Sequence, residues 1–314
     1  MSLSVGFLPK LLGPLIHQIK VDVVIVSFNQ VDFISDCIDS VLCQDYKNIQ
    51  IIVADDCSTD GTIEIIKEYA NKYPQKIIPL LSDRNRGLTQ NIDSATNHCD
   101  GKYISHLGGD DLMLKDKISK QVEFMERNPD CSISYHDVLA FDSNSKEDLF
   151  LFSKKYKPRE GGVKTMIRHG SFNCGSSNMF RVSSIPRDGF DLRVPIASDW
   201  LYCVETLAEG GEIMYIDEVF VKYRRHSKSI TSSSDSNKFS FLALEDHFTS
   251  CAILSARHPQ HHLPIRYRLS SLFLSMAALK KNKYFRYLLL SILHYPTKIN
   301  MGAIVLYLLT GKKI

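Results

Sequence analysis

The sequence predicts an α/β fold in which a mainly parallel, Rossmann-like sheet has helices on both faces, followed by a helical C-terminal extension. Two observations support this fold. From residue 21 to about residue 140, short apolar segments alternate with helical patterns and are joined by short polar loops, which is the order that builds a covered parallel sheet. From about residue 240 onward the pattern is helical throughout.

The first strand is the clearest of the predicted elements. VDVVIVS at 21–27 is a nearly continuous run of β-branched residues, as expected of a strand that is buried on both faces. Apolar residues at helical spacing follow at 34–42 and at 63–70, so a helix follows each of the first two strands. Further strands are predicted at IQIIVA (49–54), KIIPLL (76–81), YISHL (103–107), SISYHDVLAF (132–141) and EIMYI (212–216), and further helices at 91–97 and from Asp199.

Two segments lack such a pattern. Residues 142–165 are polar and rich in lysine, which predicts a mobile loop, and SITSSSDS at 229–236 predicts a turn or linker. We therefore expect one large domain at 21–235, preceded by an amphipathic segment at 1–20 and followed by a basic helical region at 236–314.

The composition is that of an ordinary globular protein. The chain has 314 residues, of which 44% are hydrophobic and 23% charged, and a chain of this size needs no disulfide or metal to fold. None of the eight cysteines forms a C-x-x-C pair, which argues against zinc-finger and thioredoxin-like sites. The N-terminus lacks the features of a signal peptide, and no apolar run reaches the roughly 20 residues of a spanning helix. We expect a cytoplasmic protein with reduced cysteines.

Polar clusters follow the first two strands, at the edge of the sheet where ligands of such folds bind. Ser27 and Asn29 follow the first strand, and Asp55 and Asp56 open the segment ADDCSTDGT after the second. Both carboxylates can accept hydrogen bonds from a nucleobase or a ribose. The alternative is that these polar residues only turn the chain and cap the next helix.

Two adjacent carboxylates, Asp110 and Asp111, lie in GGDDLM after the fourth strand. A divalent cation would relieve their repulsion, and Mg²⁺ or Mn²⁺ typically binds one or two carboxylates together with substrate phosphates. The two glycines permit a close approach of a ligand to the backbone. Pairs of aspartates are also common in surface turns that bind nothing, and this is the alternative.

Two later segments add candidate residues. Asp199 lies at the predicted start of a helix, where N-capping is the alternative to a catalytic role. In YRRHSKSIT at 223–231, His226 can complete a metal shell and the basic side chains can meet phosphate, whereas the alternative is a solvent-exposed basic loop. These basic residues are Arg224, Arg225 and Lys228.

The order of these motifs resembles that of the family 2 glycosyltransferases, which have the GT-A fold. The resemblance spans roughly residues 20–230 and depends on the ordered set, since each motif is weak alone. The similar segments are Val26-Ser27-Phe28-Asn29 (V-S-x-x-N), Asp55 to Thr62 (D-D-x-S-x-D-x-T), Asn85-Arg86-Gly87 (N-x-G), Gly101-Lys102-Tyr103-Ile104 (G-x-Y-I), Gly108 to Asp111 (D-x-D-D), Ser198-Asp199 (E-D) and Tyr223 to His226 (Y-R-x-H).

Two positions depart from the family pattern. Gly108 stands where the first Asp of D-x-D-D is expected, so the ribose contact of that Asp must be supplied otherwise or be absent. Ser198 stands at the Glu position of the E-D pair, while the Asp that acts as base in the family is present as Asp199. The metal-binding aspartate of the family matches Asp110.

The resemblance implies an inverting enzyme that moves a sugar from a nucleotide diphosphate, usually UDP-linked, to an acceptor hydroxyl with the help of Mn²⁺ or Mg²⁺. Residues 21–112 would then bind the nucleotide and residues 113–235 the acceptor. The implied roles are catalytic base for Asp199, metal binding for Asp110, Asp111 and His226, phosphate binding for Arg224, Arg225 and Lys228, and nucleotide binding for Ser27, Asn29, Asp55, Asp56, Arg86 and Asp110.

Other functions of the same sheet type fit the sequence less well. A nucleotidyltransferase usually has a glycine-rich, basic loop after its first strand, whereas the loop here, SFNQVDF, has neither glycine nor a basic residue. A nicotinamide dehydrogenase would need G-x-G-x-x-G at that place. A non-catalytic sugar-binding or nucleotide-binding module remains an alternative, but the joint presence of Asp110, Asp199 and His226 argues against it.

The C-terminal tail differs in charge from the body of the chain. Residues 247–314 contain ten Lys or Arg and no Asp or Glu. An apolar stripe recurs there at helical spacing, at Leu269, Leu272, Phe273, Met276 and Leu279. Apolar helical faces with basic flanks suit an anionic membrane surface rather than nucleic acid, and packing on the catalytic domain is the alternative. We therefore expect a peripheral enzyme at the inner face of the cell membrane, with a polyprenyl-diphosphate-linked glycan as acceptor, and the resemblance suggests O-antigen or capsule synthesis.

Overall fold

The computed structural model describes residues 18–227 and 236–313. The predicted N-terminal amphipathic segment therefore lies almost wholly outside the described residues, as does Lys228. Within the described residues, nine strands form one mixed sheet, and helices cover it on both faces and continue as a C-terminal helical region.

The predicted strands and helices occur in the predicted order, together with further elements that were not predicted from the sequence. The strands are β1 (Val21–Ser27), β2 (Ile49–Asp55), β3 (Ile77–Leu81), β4 (Tyr103–Gly108), β5 (Leu112–Met113), β6 (Cys131–Asp142), β7 (Asp148–Leu151), β8 (Met179–Arg181) and β9 (Glu212–Arg225). The helices are α1 (Ile34–Leu42), α2 (Thr62–Lys72), α3 (Leu88–Thr96), α4 (Lys117–Arg127), α5 (Phe152–Lys155), α6 (Val163–His169), α7 (Ser198–Ala208), α8 (Ser236–Arg257), α9 (His262–Leu279), α10 (Tyr284–His294) and α11 (Lys298–Thr310).

Four parallel strands in the order β3–β2–β1–β4 form the first half of the sheet. Ile25 of the central strand β1 pairs with Val53 of β2 and with Leu107 of β4, and all three are buried. Because β1 is covered on both faces, its sequence lacks the alternation of a half-exposed strand. The parallel strands end at one edge, so Ser27 pairs with Asp55 at the start of the loops that carry the polar clusters.

The second half of the sheet is mixed. β8 lies antiparallel between β4 and β6, and β9 lies parallel to β6. β9 continues to Arg225, well past the predicted end of this strand at residue 216. The short β5 pairs with β9 at Lys222 and Val221. This pairing brings the loop that holds Asp110 next to the end of β9.

Residues 142–165 are not the mobile loop that their polar sequence predicts. β7 pairs antiparallel with β6, with Leu151 opposite Leu139. The short helix α5 follows directly, and α6 begins at Val163. The order in this segment comes from pairing with β6, which a local sequence pattern does not reveal.

The C-terminal helices divide into a packed pair and an exposed pair. Leu254 of α8 and Leu272 of α9 share a buried cluster with Trp200 of α7. Met276 of α9 is buried as well, whereas Leu279 at the end of the predicted stripe is 40% exposed. Most of this stripe therefore packs on protein, which is the alternative to membrane contact. The exposed apolar side chains lie mainly on α10 and α11. Among the described helices, none combines the length and the apolar content that a membrane crossing requires.

Candidate active site

The loops after β1 and β2 are joined by Asp55. Its fully buried carboxylate accepts hydrogen bonds from Ser27 Oγ and Ser58 Oγ, both at 2.6 Å, and from the Ser58 backbone N–H at 2.8 Å. Asn29, with a φ of 52°, donates its backbone N–H to Ser58 Oγ at 2.7 Å and accepts the Thr59 N–H at 2.9 Å. Three predicted nucleotide-binding residues therefore lie together, and Asp55 holds their loops in shape.

Asp56 fixes a third loop at the same edge, before α3. Its two carboxylate oxygens accept the backbone N–H groups of Arg86 at 2.7 Å and of Gly87 at 2.8 Å. The exposed Arg86 side chain donates to Asp83 at 2.8 Å. Asp55 and Asp56 thus make the turn-forming contacts of the alternative interpretation, and nucleotide contacts by them and by Arg86 stay a prediction.

Asp110 and His226 are paired just beyond the ends of β4 and β9. His226 Nε2 lies 3.0 Å from Asp110 Oδ2, and the two side chains are 9% and 20% exposed. The ring of Phe33 packs on His226 with 4.5 Å between the ring centroids. One carboxylate and one imidazole fit a divalent cation such as Mn²⁺ whose other ligands are water and a diphosphate.

Asp111 lies beside this pair but faces the protein interior. Its buried carboxylate accepts Ser176 Oγ at 2.6 Å and the Arg224 backbone N–H at 3.0 Å. Burial, together with the nearby charge of Asp110, raises its pKa well above the usual value. No group of three His, Cys, Asp or Glu side chains converges on a metal position among the described residues. The contacts of Asp111 are with protein groups, and metal binding by Asp110, Asp111 and His226 stays a prediction.

Arg224 is buried beside the pair, and the phosphate role of Arg224 stays a prediction. Its guanidinium lies 4.9 Å and 5.0 Å from the ring centroids of Phe33 and Phe141, and its Nε donates to the Asp110 backbone oxygen at 2.7 Å. The side chain therefore supports the Asp110 loop from inside. Successive residues of a strand face opposite ways, so Arg225 faces the other side of β9, and its phosphate role stays a prediction.

Asp199 is the second residue of α7, and the residue is open to solvent. Its Oδ1 accepts the Trp200 backbone N–H at 2.7 Å. The N-cap position is Ala197, so Asp199 is not the helix cap of the alternative interpretation. Desolvation by nearby protein atoms raises the pKa of Asp199 above its usual value, against the opposing effect of the Trp200 N–H hydrogen bond.

The start of α7 is connected to the loop that Asp56 fixes. Asp56 accepts the Gly87 N–H at 2.8 Å, and two residues later Thr89 Oγ1 lies 2.9 Å from Ser198 Oγ. Ser198 directly precedes Asp199. The candidate base therefore lies near the sheet edge that carries the polar loops after β1 and β2.

Comparison with known proteins identifies the family. The model of glycosyl transferase family 2 matches residues 22–187, more than half of the chain. The chain belongs to this family. The match covers β1 to β4 and the Asp110 loop, and it ends before Asp199 and His226.

Proteins of similar sequence include several from bacteria. An uncharacterized protein of Mycobacterium tuberculosis is 30% identical over 72% of the chain, and the chain spans 64% of that relative's length. TuaG of Bacillus subtilis, a teichuronic acid biosynthesis glycosyltransferase, is 30% identical over 68% of the chain and 82% of its own length. WfaP of Escherichia coli, a UDP-Glc:alpha-D-GlcNAc-diphosphoundecaprenol beta-1,3-glucosyltransferase, is 27% identical over 76% of the chain and 88% of its own length.

Solved structures share the fold of this chain. TarS of S. aureus in complex with UDP matches with a TM-score of 0.56 and 16% identity, covering 93% of this chain and 92% of that one. The mannosyltransferase PcManGT from Pyrobaculum calidifontis, in complex with GDP-Man and Mn²⁺, matches with a TM-score of 0.61 and 16% identity, covering 93% and 81%. At this identity the likeness concerns the fold alone, and it confirms the predicted GT-A fold.

Gly108 stands where the family 2 pattern has an acidic residue, and its lack of a side chain leaves space for the carboxylates of Asp110 and Asp111. A Cβ at this position would lie 3.0 Å from Asp110 Oδ1 and 3.3 Å from Asp111 Oδ2. Ser176 Oγ accepts the Gly108 N–H at 3.1 Å while it donates to Asp111. The glycine therefore allows both carboxylates to lie close to the end of β4.

Three functional contacts were not predicted from the sequence. Ser176 holds Asp111, as described above. Thr89 Oγ1 lies 2.9 Å from Ser198 Oγ, which links the start of α3 to the start of α7. Asp246 of α8 accepts the backbone N–H groups of Ile196 and Ala197 just before Asp199. Each contact joins residues that are more than 45 positions apart, and no local motif marks it.

Proposed function

We propose that the chain is an inverting glycosyltransferase that moves a sugar from a UDP-linked donor to a hydroxyl of a lipid-linked glycan. The supporting observation is that Ser198, next to Asp199, lies 2.9 Å from Thr89 at the sheet edge where β1, β2 and β4 end, and the Asp110–His226 pair follows β4 at the same edge. Glycosyl transfer needs a base for the acceptor and a binding site for the departing diphosphate. These side chains supply both in one site.

Asp199 is the proposed base. The Trp200 N–H holds Oδ1, so the carboxylate is oriented while Oδ2 can take the proton of the acceptor hydroxyl. A carboxylate with a raised pKa accepts a proton more readily. The acceptor oxygen bonds to the anomeric carbon as the bond to the diphosphate breaks. One displacement of this kind inverts the anomeric centre.

Asp110 and His226 would hold Mn²⁺ or Mg²⁺ together with the donor diphosphate. Such a cation, when bound, neutralises the negative charge that develops on the leaving phosphates. Arg224 fixes the Asp110 backbone from below, and Phe33 packs on the His226 ring. The orientation of both ligands is therefore set by their neighbours, as in established metal sites.

The loops around Asp55 are the proposed nucleobase and ribose site. A carboxylate has about four acceptor positions, and three protein donors occupy Asp55. Because Asp55 is fully buried, a nucleobase N–H would reach the fourth position only when the loops after β1 and β2 separate. Asp56 presents the Arg86 loop beside it. WfaP is named as a UDP-Glc enzyme and TarS was solved with UDP, while PcManGT was solved with GDP-Man. Because two of these three proteins are named with UDP or a UDP-sugar, we propose a UDP-linked donor.

The proposed acceptor is a glycan on a polyprenyl diphosphate. WfaP is named for such a substrate, and TuaG is named for teichuronic acid synthesis. We therefore place the enzyme in bacterial surface polysaccharide synthesis, with O-antigen or capsule as the product class. Lipid-linked intermediates of this kind require an enzyme at the cytoplasmic face of the membrane.

The proposed membrane surface is formed by α10 and α11. The most exposed apolar side chains there are Leu293 at 70%, Ile299 at 67%, Leu308 at 67% and Leu309 at 79%. Basic residues but no acidic ones occur throughout the chain from residue 247. An apolar face with only positive charges nearby suits an anionic leaflet better than an acid-containing protein partner.

Binding and turnover together test the proposal. Calorimetry should show that Mn²⁺ strengthens UDP binding. Transfer from UDP-glucose to a GlcNAc-diphosphate-polyprenol should then release UDP, and the coupling constant of the new anomeric proton should report inversion. Release of pyrophosphate would indicate a nucleotidyltransferase. Metal-dependent UDP binding without transfer from any of a panel of UDP-sugars would indicate a non-catalytic binding module.

A further inference from the structure

Asp246 connects the C-terminal helical region to the segment that carries Asp199. Its carboxylate is 6% exposed. One oxygen, Oδ2, accepts the Ile196 N–H at 2.6 Å and the Ala197 N–H at 2.9 Å. Ala197 is the N-cap of α7, and Asp199 follows two residues later. The backbone path into Asp199 is thus held by a side chain from α8.

These two hydrogen bonds are of the strong kind. N–H groups at the start of a helix have no partner within the helix, and bonds from such groups to a buried carboxylate are charge-assisted. Water has little access to replace Asp246. Loss of the carboxylate would leave the Ile196 and Ala197 donors without this partner, and the segment before Asp199 would be free to shift.

Trp200, the residue after Asp199, is also held by the C-terminal helices. The Trp200 ring meets the His247 ring of α8 edge-on at 4.8 Å, and the Arg268 guanidinium of α9 lies 5.3 Å from the Trp200 ring centroid. Burial lowers the pKa of His247 to about 3, so a neutral imidazole makes this contact. Helices α8 and α9 therefore hold the chain on both sides of Asp199.

The far end of α8 is attached independently. Arg257 Nη1 lies 3.0 Å from Glu205 Oε1, and His258 Nε2 lies 2.7 Å from Glu205 Oε2. Glu205 belongs to the last part of α7, away from Asp199. Because these contacts do not involve Asp246, α8 can stay docked when Asp246 is changed, and Glu205 offers a matched control.

We propose that Asp246 is a positioning residue that aims the Asp199 carboxylate at the acceptor hydroxyl. The active site then extends into the C-terminal helical region, beyond the residues 22–187 that match the family model. This inference rests on the proposed function, in which Asp199 is the base. Asp246 touches no substrate in this account and acts only through the backbone at Ile196 and Ala197.

The test compares Asp246→Ala, Asp246→Asn and the control Glu205→Gln. With UDP-glucose and Mn²⁺, Asp246→Ala should lower kcat by about 10- to 100-fold, because misplacing a catalytic group by about 1 Å costs on this order. Its Mn²⁺-dependent UDP affinity should stay within about twofold, since the nucleotide loops are not touched. Asp246→Asn should recover most of the rate, because its amide oxygen can accept the same two N–H groups. Glu205→Gln should keep kcat within about twofold of the original protein.

Asp246→Glu tests the positioning role of Asp246 if Asp246→Ala does not fold. It keeps the buried charge but moves it by one methylene, and it should lower kcat by about tenfold with UDP affinity unchanged. The proposal is overturned if these variants turn over like Glu205→Gln, or if UDP affinity falls in proportion to kcat. Asp199→Asn is measured beside them. An inactive Asp199→Asn with a normal Asp246→Ala refutes the positioning role alone, whereas a fully active Asp199→Asn refutes the proposed base as well.

Discussion

Replacement of the four most exposed apolar residues of α10 and α11 by glutamine should release the protein from anionic membranes. These residues are Leu293, Ile299, Leu308 and Leu309. Their exposure means that the substitutions disturb little packing within the fold, and glutamine leaves the net charge unchanged. Any loss of binding therefore reports the apolar contact and not the electrostatic one.

The expected loss is large. Full burial of a Leu or Ile side chain contributes about 1.5–3 kcal/mol. The four side chains are 67–79% exposed, so each can still gain about 1–2 kcal/mol on entering the membrane. The basic residues near the surface contribute on the order of 1 kcal/mol each in both proteins. Even the low end of the apolar sum, about 4 kcal/mol, lowers the partition constant by more than about 100-fold.

The assay is flotation with liposomes that contain phosphatidylglycerol, at low and at high salt. The control variant carries Leu149→Gln and Leu192→Gln, which remove exposed leucines at 49% and 55% exposure from β7 and from the loop before α7. This control should float like the original protein, and the fourfold variant should stay at the bottom. Equal flotation of the fourfold variant and the control would refute the membrane face on α10 and α11.

Three further predictions concern the site. Asp110→Ala should abolish the Mn²⁺-dependent part of UDP affinity and His226→Ala should weaken it, because the pair would hold the cation; unchanged calorimetric affinity in Asp110→Ala would remove this assignment. Gly108→Ala should lower the same affinity by about tenfold, because its Cβ would lie 3.0 Å from Asp110 Oδ1; an unaltered affinity would mean that the space is not needed. Measurements of kcat/KM over pH should show a fall at acid pH as Asp199 is protonated. Because desolvation raises the pKa of Asp199, this fall should occur above pH 3.8, the ordinary aspartate value. A kcat/KM that stays constant down to pH 3.8 would contradict the base assignment.

The first half of the fold was predictable because its strands depend on local sequence. β1 pairs on both sides and is buried on both faces, so almost every residue in it must be apolar. The loops after β1, β2 and β4 follow from the ends of these strands, and the parallel arrangement brings Ser27 and Asp55 to one edge. The pairing of Asp110 with His226 was likewise expected, through the resemblance of both motifs to family 2.

Features that depend on distant partners could not be predicted. Arg224 lies in a basic segment that indicates exposure, yet Phe33 and Phe141 from two other parts of the chain enclose its guanidinium. The apolar stripe on α9 meets the catalytic domain at Leu272, and a stripe of this kind looks the same whether protein or lipid covers it. Asp246 lies 49 positions from Ala197 in sequence, so no motif connects them.

The central claim, that Asp199 is the base of a sugar transfer, is tested most directly by Asp199→Asn. Asparagine has the same shape, and its amide oxygen can still accept the Trp200 N–H, so the start of α7 should be preserved. Turnover of UDP-glucose with a polyprenyl-diphosphate acceptor and Mn²⁺-dependent UDP affinity are measured on the same preparation. The account predicts that turnover falls by about 10²–10⁴-fold while UDP affinity stays the same. Near-normal turnover in Asp199→Asn would contradict it.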